Sequence, residues 1–203
     1  AAAHGAGEGT TREARMSRIL VTGASGFVGS YVVPELIDGG HDVVALVRDA
    51  KAQADVERRL SEAQRGHLAF RTGDVTKPET LPAAVDGVDA VVHLVAIARD
   101  WDGGRSLARL NTAGTVNVVD AAKAAGVRRF IHLGAMAVQD RPELHYASSK
   151  KRAERYVAES GLDWTIVKPS LIWGPRDGFF NIVAGLVRMS DRKSTRLNSS
   201  HGY

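Results

Sequence analysis

Six short runs of apolar residues alternate along the chain with longer segments whose apolar residues recur every three or four positions. A continuous apolar run closed by glycine or a polar turn is typical of a strand buried in a parallel sheet, because both of its faces are covered. The longer segments have the spacing of amphipathic helices. We predict strands at residues 18–22, 43–47, 68–71, 90–95, 130–133 and 164–167. We predict helices at residues 27–38, 50–64, 78–85, 106–125, 145–160 and 179–189.

This alternation of strand and helix predicts an α/β fold with a doubly wound parallel sheet in three α/β/α layers. Parallel strands need crossover connections, and helices in those crossovers cover both faces of the sheet. In such sheets ligands bind at the carboxyl ends of the strands. We therefore looked for functional residues in the loops that follow the six predicted strands.

The loop after the first strand has glycines at positions i, i+3 and i+6, which are Gly23, Gly26 and Gly29. The first can form the tight turn, the second lets the main chain approach a diphosphate, and the third allows close helix packing. The following helix offers free N–H groups and the positive end of its dipole to an anion. We therefore predict a dinucleotide-binding loop of the Rossmann type. Its residues are Gly23, Ser25, Gly26, Phe27, Val28 and Gly29.

The end of the second strand indicates which dinucleotide is bound. An acidic residue there holds the ribose 2′-hydroxyl of NAD, whereas a basic residue suits the 2′-phosphate of NADP. This chain has Val47 where the acid is expected, followed by Arg48 and Asp49. The sequence thus favours NADP(H), while Asp49 leaves NAD(H) open and Arg48 could also be a solvated loop residue.

Tyr146 and Lys150 form a candidate catalytic pair near the start of a predicted helix. Four residues apart, they lie on the same face of that helix. A nearby ammonium favours phenolate, so we expect a lowered pKa for Tyr146 and a role in proton transfer to a carbonyl or alcohol. Lys150 could also donate a hydrogen bond to a ribose hydroxyl.

Together these motifs resemble the extended and atypical short-chain dehydrogenase/reductase superfamily, of the NAD-dependent epimerase/dehydratase type. The resemblance extends over residues 16–189 and includes motifs at residues 73–75, 93–96, 111–117 and 168–175. Within the superfamily the chain is most similar to the complex I accessory-subunit-like NAD(P)H-binding branch.

The resemblance implies roles for residues in several further loops. Asp74 and Val75 are expected to flank the adenine, and Pro169 is expected near the nicotinamide. Lys150 is expected to hold the nicotinamide ribose. The residues expected to line the nucleotide after the fourth strand are Leu94, Val95 and Ala96.

One position departs from the pattern of the catalytic members. They carry Ser or Thr just after the fifth strand to polarise the substrate carbonyl, whereas this chain has Ala135. The next hydroxyls are those of Ser148 and Ser149, on other faces of the predicted helix. Loss of such a donor costs on the order of 10²–10³ in rate.

Two functions therefore remain open, besides a fragment with no function of its own. The first is an oxidoreductase or epimerase/dehydratase acting on a small carbonyl or alcohol substrate, with Tyr146 as acid/base. The second is a non-catalytic NADPH-binding module within a protein complex, as the complex I-like resemblance implies. The intact Tyr146–Lys150 pair favours the first, and Ala135 favours the second.

Composition excludes several other classes. The chain has 203 residues and no cysteine, which rules out disulfides, thiol catalysis and Cys-ligated metal sites. Basic residues near the two ends contribute much of the net charge of +4, so we expect no nucleic-acid partner. We predict no transmembrane segment, since no apolar run approaches the ~20 residues one needs. We also predict no metal site. We expect a cytoplasmic protein, or one at the periphery of a membrane complex if the complex I-like resemblance holds.

The ends of the chain differ from its middle. Residues 1–15 lack apolar periodicity and precede Met16, so we interpret them as a non-native or disordered extension. Residues 190–203 are polar, and residues 191–201 resemble the translation of a sequencing adapter. We therefore expect an NAD(P)-binding domain at residues 16–189, without the C-terminal substrate lobe, followed by a non-native tail.

Three further expectations concern residues outside the predicted site. His93 and His132 are expected to be histidines with satisfied hydrogen bonds in the core or a loop. Trp164 is expected in the core. The charged cluster Glu57, Arg58 and Arg59 is expected on a solvated helix face.

Overall fold

The computed structural model describes residues 16–177, which fold around a six-stranded parallel sheet. The strand order is β3-β2-β1-β4-β5-β6, and every neighbouring pair is parallel. The order in which successive strands are added to the sheet therefore reverses between β1 and β4, which opens a crevice at their carboxyl ends. The strands are β1 Arg18–Thr22, β2 Asp42–Val47, β3 Leu68–Thr72, β4 Ala90–His93, β5 Arg129–Leu133 and β6 Asp163–Val167.

At least one helix lies between each pair of successive strands, as in a doubly wound sheet. The α-helices are α1 Gly29–Asp38, α2 Ala50–Glu57, α3 Glu62–Arg65, α4 Pro82–Val85, α5 Arg105–Leu107, α6 Gly114–Ala124 and α7 His145–Ala158. A 3₁₀ turn (Pro78–Thr80) precedes α4, and a π-helical turn (Ala108–Ala113) joins α5 to α6.

Alternate residues of the strands pack into two separate hydrophobic cores, one on each face of the sheet. Val21 belongs to the core beneath α1 and α2, which includes Val33 and Val56. Leu20, one position earlier, belongs to the core beneath α4, α6 and α7, together with Phe130. This alternation follows from the period of two in a strand. It confirms the predicted three-layer α/β/α fold with a doubly wound parallel sheet.

The predicted elements differ from the observed ones at several ends. The first helix begins at Gly29 instead of residue 27, because the glycine-rich turn extends further. The predicted helix at 50–64 is divided: α2 ends at Glu57, and Ser61 starts α3 with a capping box. The fourth strand ends at His93, two residues early.

The expectation that Trp164 lies in the core is wrong, because β6 is at the edge of the sheet formed by residues 16–177 and Trp164 is 42% exposed. The predicted helix at 179–189 and both terminal segments lie outside the described residues. Among the helices at residues 16–177, none has the length and apolar character needed to cross a bilayer.

Candidate functional site

A cleft of about 620 Å³ lies at the carboxyl ends of the strands, where the strand order reverses. It has the size and position of a ligand site in a doubly wound sheet. All the residues singled out from the sequence as cofactor-binding or catalytic line it, although they come from six different loops and helices. They are Gly23, Ser25, Gly26, Phe27, Val28, Gly29, Arg48, Asp74, Val75, Leu94, Val95, Ala96, Tyr146, Lys150 and Pro169.

The glycine-rich loop is compact because its glycines leave no room for side chains. Gly23 has a φ of +76°, and a Cβ there would lie 3.1 Å from the main chain of Leu94. A Cβ on Gly29 would lie 2.3 Å from the main-chain oxygen of Gly23. The start of α1 therefore sits directly against the turn after β1. At this end of α1 the N–H groups of Ser30 and Tyr31 already donate to the main-chain oxygens of Gly26 and Val28. This leaves the N–H groups of the cleft-lining residues 27–29 for an anion.

Arg59 supports this loop, a contact that the sequence analysis did not predict. Its guanidinium donates hydrogen bonds to the main-chain oxygens of Ser25, at 2.9 Å, and Gly26, at 3.4 Å. The expectation of a solvated helix face is wrong for this residue, since Arg59 follows the end of α2 and is half-buried. Partial burial and the nearby charge of Arg176 lower the pKa of the Arg59 guanidinium.

The end of β2 separates the roles of two adjacent charged residues. Arg48 lines the cleft. Asp49 is instead the N-cap of α2, and its carboxylate accepts a hydrogen bond from the main-chain N–H of Ala52 at 2.8 Å. The carboxylate that left NAD(H) open is therefore already used to cap a helix.

Asp74 shapes the loop after β3 and carries a carboxylate at the cleft. Its side chain accepts hydrogen bonds from the main chain and the hydroxyl of Thr76, at 2.8 and 2.9 Å. Burial opposes ionisation, but these two hydrogen bonds and the nearby Arg48 and Lys77 hold the pKa of Asp74 below its usual value. Asp74 is therefore a carboxylate at neutral pH.

Tyr146 and Lys150 lie in α7, as predicted, but their electrostatics differ from the expectation. Burial, followed by the negative charge of Glu154, raises the pKa of Tyr146, so the expected lowering is wrong. Lys150 is 2% exposed and donates its ammonium hydrogen to the main-chain oxygen of Leu133. Burial lowers the pKa of Lys150 to about 8, against the opposing effect of Glu154. Because the pKa of Tyr146 is raised, its side chain is a protonated phenol at neutral pH.

The two serine hydroxyls between Tyr146 and Lys150 in α7 are engaged in other contacts. Ser148 Oγ donates to the main-chain oxygen of Arg141 at 2.5 Å. Ser149 Oγ donates to the main-chain oxygen of Tyr146 and accepts a hydrogen bond from Asn111 Nδ2. Neither can replace the missing hydroxyl at Ala135 without losing these contacts.

Two histidines stack beneath the site, with ring centroids 5.5 Å apart. His93 has partners on both ring nitrogens, with Thr22 Oγ1 at 2.7 Å from Nδ1 and Thr115 Oγ1 at 3.0 Å from Nε2. His132 is fully buried, yet neither of its ring nitrogens has a hydrogen-bond partner, so the expectation of a satisfied histidine holds only for His93. Burial and the charge of Lys150 lower the pKa of His93 to about 3. Burial, with His93 and Lys150, lowers the pKa of His132 to about 2.

A buried carboxylate, Glu154, stands next to the position where Ser or Thr was expected. Its Oε1 accepts a hydrogen bond from the main-chain N–H of Ala135 at 3.1 Å. Its Oε2 lies 2.9 Å from Lys168 Nζ. The sequence analysis missed this residue, although the spacing of Tyr146, Lys150 and Glu154 at every fourth position could have indicated one shared helix face.

Comparison with known proteins agrees with this geometry. The profile of the NAD(P)H-binding family matches residues 23–192. A 3β-hydroxysteroid dehydrogenase/Δ5→4-isomerase of Mycobacterium tuberculosis is 33% identical over 92% of this chain and 57% of its own length. The photosystem II assembly factor Ycf39 of Synechocystis is 29% identical over 74% of this chain and 44% of its own. The chain thus spans about half the length of these curated relatives.

A solved structure is similar to this chain in both fold and sequence. The Bordetella bronchiseptica enzyme WbmH, in complex with NAD⁺, superposes with a TM-score of 0.70 at 27% identity. The match covers 87% of this chain and 63% of that one. On this evidence the chain belongs to the NAD(P)H-binding family, within the epimerase/dehydratase-type short-chain dehydrogenase/reductase superfamily.

Proposed function

We propose that this chain is the cofactor-binding part of an NADP(H)-dependent oxidoreductase or epimerase/dehydratase that acts on a small carbonyl or alcohol substrate. The observation that carries the proposal is that the glycine-rich loop, Tyr146 and Lys150 all line one cleft. A bound nicotinamide supplies hydride exchange. The glycine-rich loop binds the diphosphate, and Asp74 and Val75 flank the adenine.

A preference for NADP(H) over NAD(H) follows from the end of β2. Arg48 lines the cleft, where its guanidinium can pair with a 2′-phosphate. The carboxylate of Asp49, which could hold a 2′-hydroxyl, caps α2. Asp49 therefore does not compete for Arg48, although the carboxylate of Asp74, which also lines the cleft, lies near that guanidinium.

The side chains at the other end of the cleft suit proton donation to a substrate oxygen. Because its pKa is raised, Tyr146 holds its proton at neutral pH and can transfer it to an oxygen that gains negative charge. Lys150, on the next turn of α7, supplies positive charge from a buried position. Pro169 borders the same end of the cleft.

A second candidate function, a non-catalytic NADPH-binding module in a protein assembly, is favoured by one specific observation. Ala135 provides no hydroxyl, and Ser148 and Ser149 are engaged in other contacts. A relative named as a photosystem II assembly factor, Ycf39, is 29% identical over 74% of this chain. Such a module would bind the dinucleotide with little turnover.

The two candidates are separated by measuring NADPH oxidation with a panel of ketones and a 3-oxosteroid, with wild type and two variants. If Tyr146 is the acid, Tyr146→Phe should lose at least about 10²-fold in rate, as expected for removal of a general acid. Tyr156→Phe is the matched control and should keep wild-type turnover, because Tyr156 is on the same helix but packs against the core outside the cleft lining, where its hydroxyl donates to Asp120. Equal turnover in wild type and Tyr146→Phe would reject the catalytic role. NADPH binding without any turnover in wild type would favour the module.

A further inference from the structure

The carboxylate of Glu154 connects three elements that border the catalytic end of the cleft. Glu154 belongs to α7, the helix of Tyr146 and Lys150, and is 2% exposed. Through Oε1 it accepts the N–H of Ala135, in the turn after β5. Through Oε2 it pairs with Lys168, in the turn after β6, whose side chain is 48% exposed. One buried charge therefore contacts both turns and the helix.

The turn after β5 has the residue that this contact requires. A Cβ on Gly134 would lie 2.6 Å from Glu154 Oε1 and 2.9 Å from Ile166 Cγ2. Any side chain at this position would therefore displace the carboxylate. The turn is also joined to the β6 side by main-chain hydrogen bonds, from Gly134 N–H to the oxygen of Val167 and from Met136 N–H to the oxygen of Pro169.

The buried ammonium of Lys150 needs a compensating negative charge. It donates to one neutral acceptor, the main-chain oxygen of Leu133. The imidazoles of His93 and His132 lie close enough for the charge of Lys150 to lower their pKa values, and Tyr146 lines the same cleft. Among the residues that the structure describes, Glu154 is the carboxylate that acts on Lys150, from one helical turn away.

We propose that Glu154 is a positioning residue, which fixes the Gly134–Ala135 turn through its carboxylate and stabilises the charged form of the buried Lys150. This inference deepens the proposed function at the same site. A buried charge is tolerated when it is paired and hydrogen-bonded, and Glu154 meets both conditions with Lys168 and Ala135. The negative charge of Glu154 therefore stabilises the ammonium of Lys150, and its hydrogen bond with the Ala135 N–H fixes the turn.

Three variants separate the effect of charge from the effect of shape. Glu154→Gln removes the charge and keeps an oxygen that can accept the Ala135 N–H. Glu154→Ala removes both. Glu159→Gln is the matched control, since Glu159 follows α7 at its exposed end.

The first measurement is an NMR titration of the Lys150 side chain, assigned by the loss of its signal in Lys150→Arg. Because removal of a nearby opposite charge disfavours the ammonium, the pKa of Lys150 should be about one unit lower in Glu154→Gln than in wild type. Glu159→Gln should leave it unchanged. The second measurement is hydrogen exchange at the Ala135 amide, which should become faster in Glu154→Ala and stay slow in Glu154→Gln.

A Lys150 midpoint that is the same in Glu154→Gln and wild type would overturn the electrostatic role. Unchanged exchange at Ala135 in Glu154→Ala would overturn the role in the turn. Both measurements are made without a dinucleotide, so a failure of the proposed function would be seen separately, as an absence of NADPH binding to the wild type.

Discussion

Arg59 donates a hydrogen bond to the main-chain oxygen of Ser25 at 2.9 Å, across 34 positions of sequence. A residue of the loop after α2 thereby holds the glycine-rich loop after β1. The guanidinium also donates to the oxygen of Gly26, and Arg59 is not among the residues that line the cleft. A positive charge from outside the cleft lining thus holds the loop that is expected to meet the diphosphate.

Replacing Arg59 by methionine should weaken dinucleotide binding about tenfold. A hydrogen bond to a charged group contributes about 1.5–3 kcal/mol, and a part of this would be lost from the ordered loop. Isothermal titration with NADPH measures the effect. Arg58→Met is the control, because Arg58 is exposed and pairs with Asp55 instead of the loop. Equal affinities of the two variants would show that Arg59 does not organise the loop.

Gly29→Ala should destabilise the fold and reduce dinucleotide binding together. The added Cβ would lie 2.3 Å from the oxygen of Gly23, so the helix must move away from the turn. Overpacking of this kind costs about 1–3 kcal/mol, which urea unfolding can measure. Gly66→Ala, at a helical φ of −62° and with a 3.3 Å contact, should cost much less. A Gly29→Ala protein as stable as wild type would contradict the close approach.

His132→Leu should stabilise the protein by about 1 kcal/mol at pH 7, since it removes two buried nitrogens that have no hydrogen-bond partner. His93→Leu should have the opposite effect, because it leaves the Thr22 hydroxyl without its acceptor. The two unfolding free energies, measured in urea, should lie on opposite sides of the wild-type value. Destabilisation of similar size in both variants would show that His132 has a polar partner after all.

Stability should fall as the pH falls below about 6.5. Unfolded histidine takes up a proton near that pH, whereas burial holds the pKa of His93 at about 3 and that of His132 at about 2 in the folded state. The unfolded state therefore binds more protons in this window, and stability decreases by up to about 1.4 kcal/mol per pH unit for each histidine. Urea unfolding between pH 7 and 4.5 measures the slope. His132→Leu should make it shallower, and an identical slope would refute the assignment to His132.

The parts of the site that depend on local sequence were predictable. The glycine spacing reports a turn between adjacent elements, and the Tyr146–Lys150 spacing reports one face of one helix. The fold class followed in the same way from strand and helix periodicity. The loops at the strand ends could be identified because parallel strands all end at one edge of the sheet.

Contacts between distant segments were not predictable. The hydrogen bond from Arg59 to the glycine-rich loop and the pairing of Glu154 with Lys168 depend on how loops meet in three dimensions. The pKa of Tyr146 was misjudged because sequence spacing places a lysine nearby but shows neither burial nor the carboxylate of Glu154. Trp164 was misplaced because the sequence does not reveal which strand lies at the edge.

The most direct test of the central claim is an equilibrium titration of the wild-type protein with NADPH and NADH, followed by calorimetry. The account predicts saturable binding at one site per chain, tighter for NADPH than for NADH, and a loss of that difference in Arg48→Met. At a concentration of 100 times Kd, NADPH should also add about 2.7 kcal/mol to the free energy of unfolding. No binding of either dinucleotide to the folded protein would contradict the account.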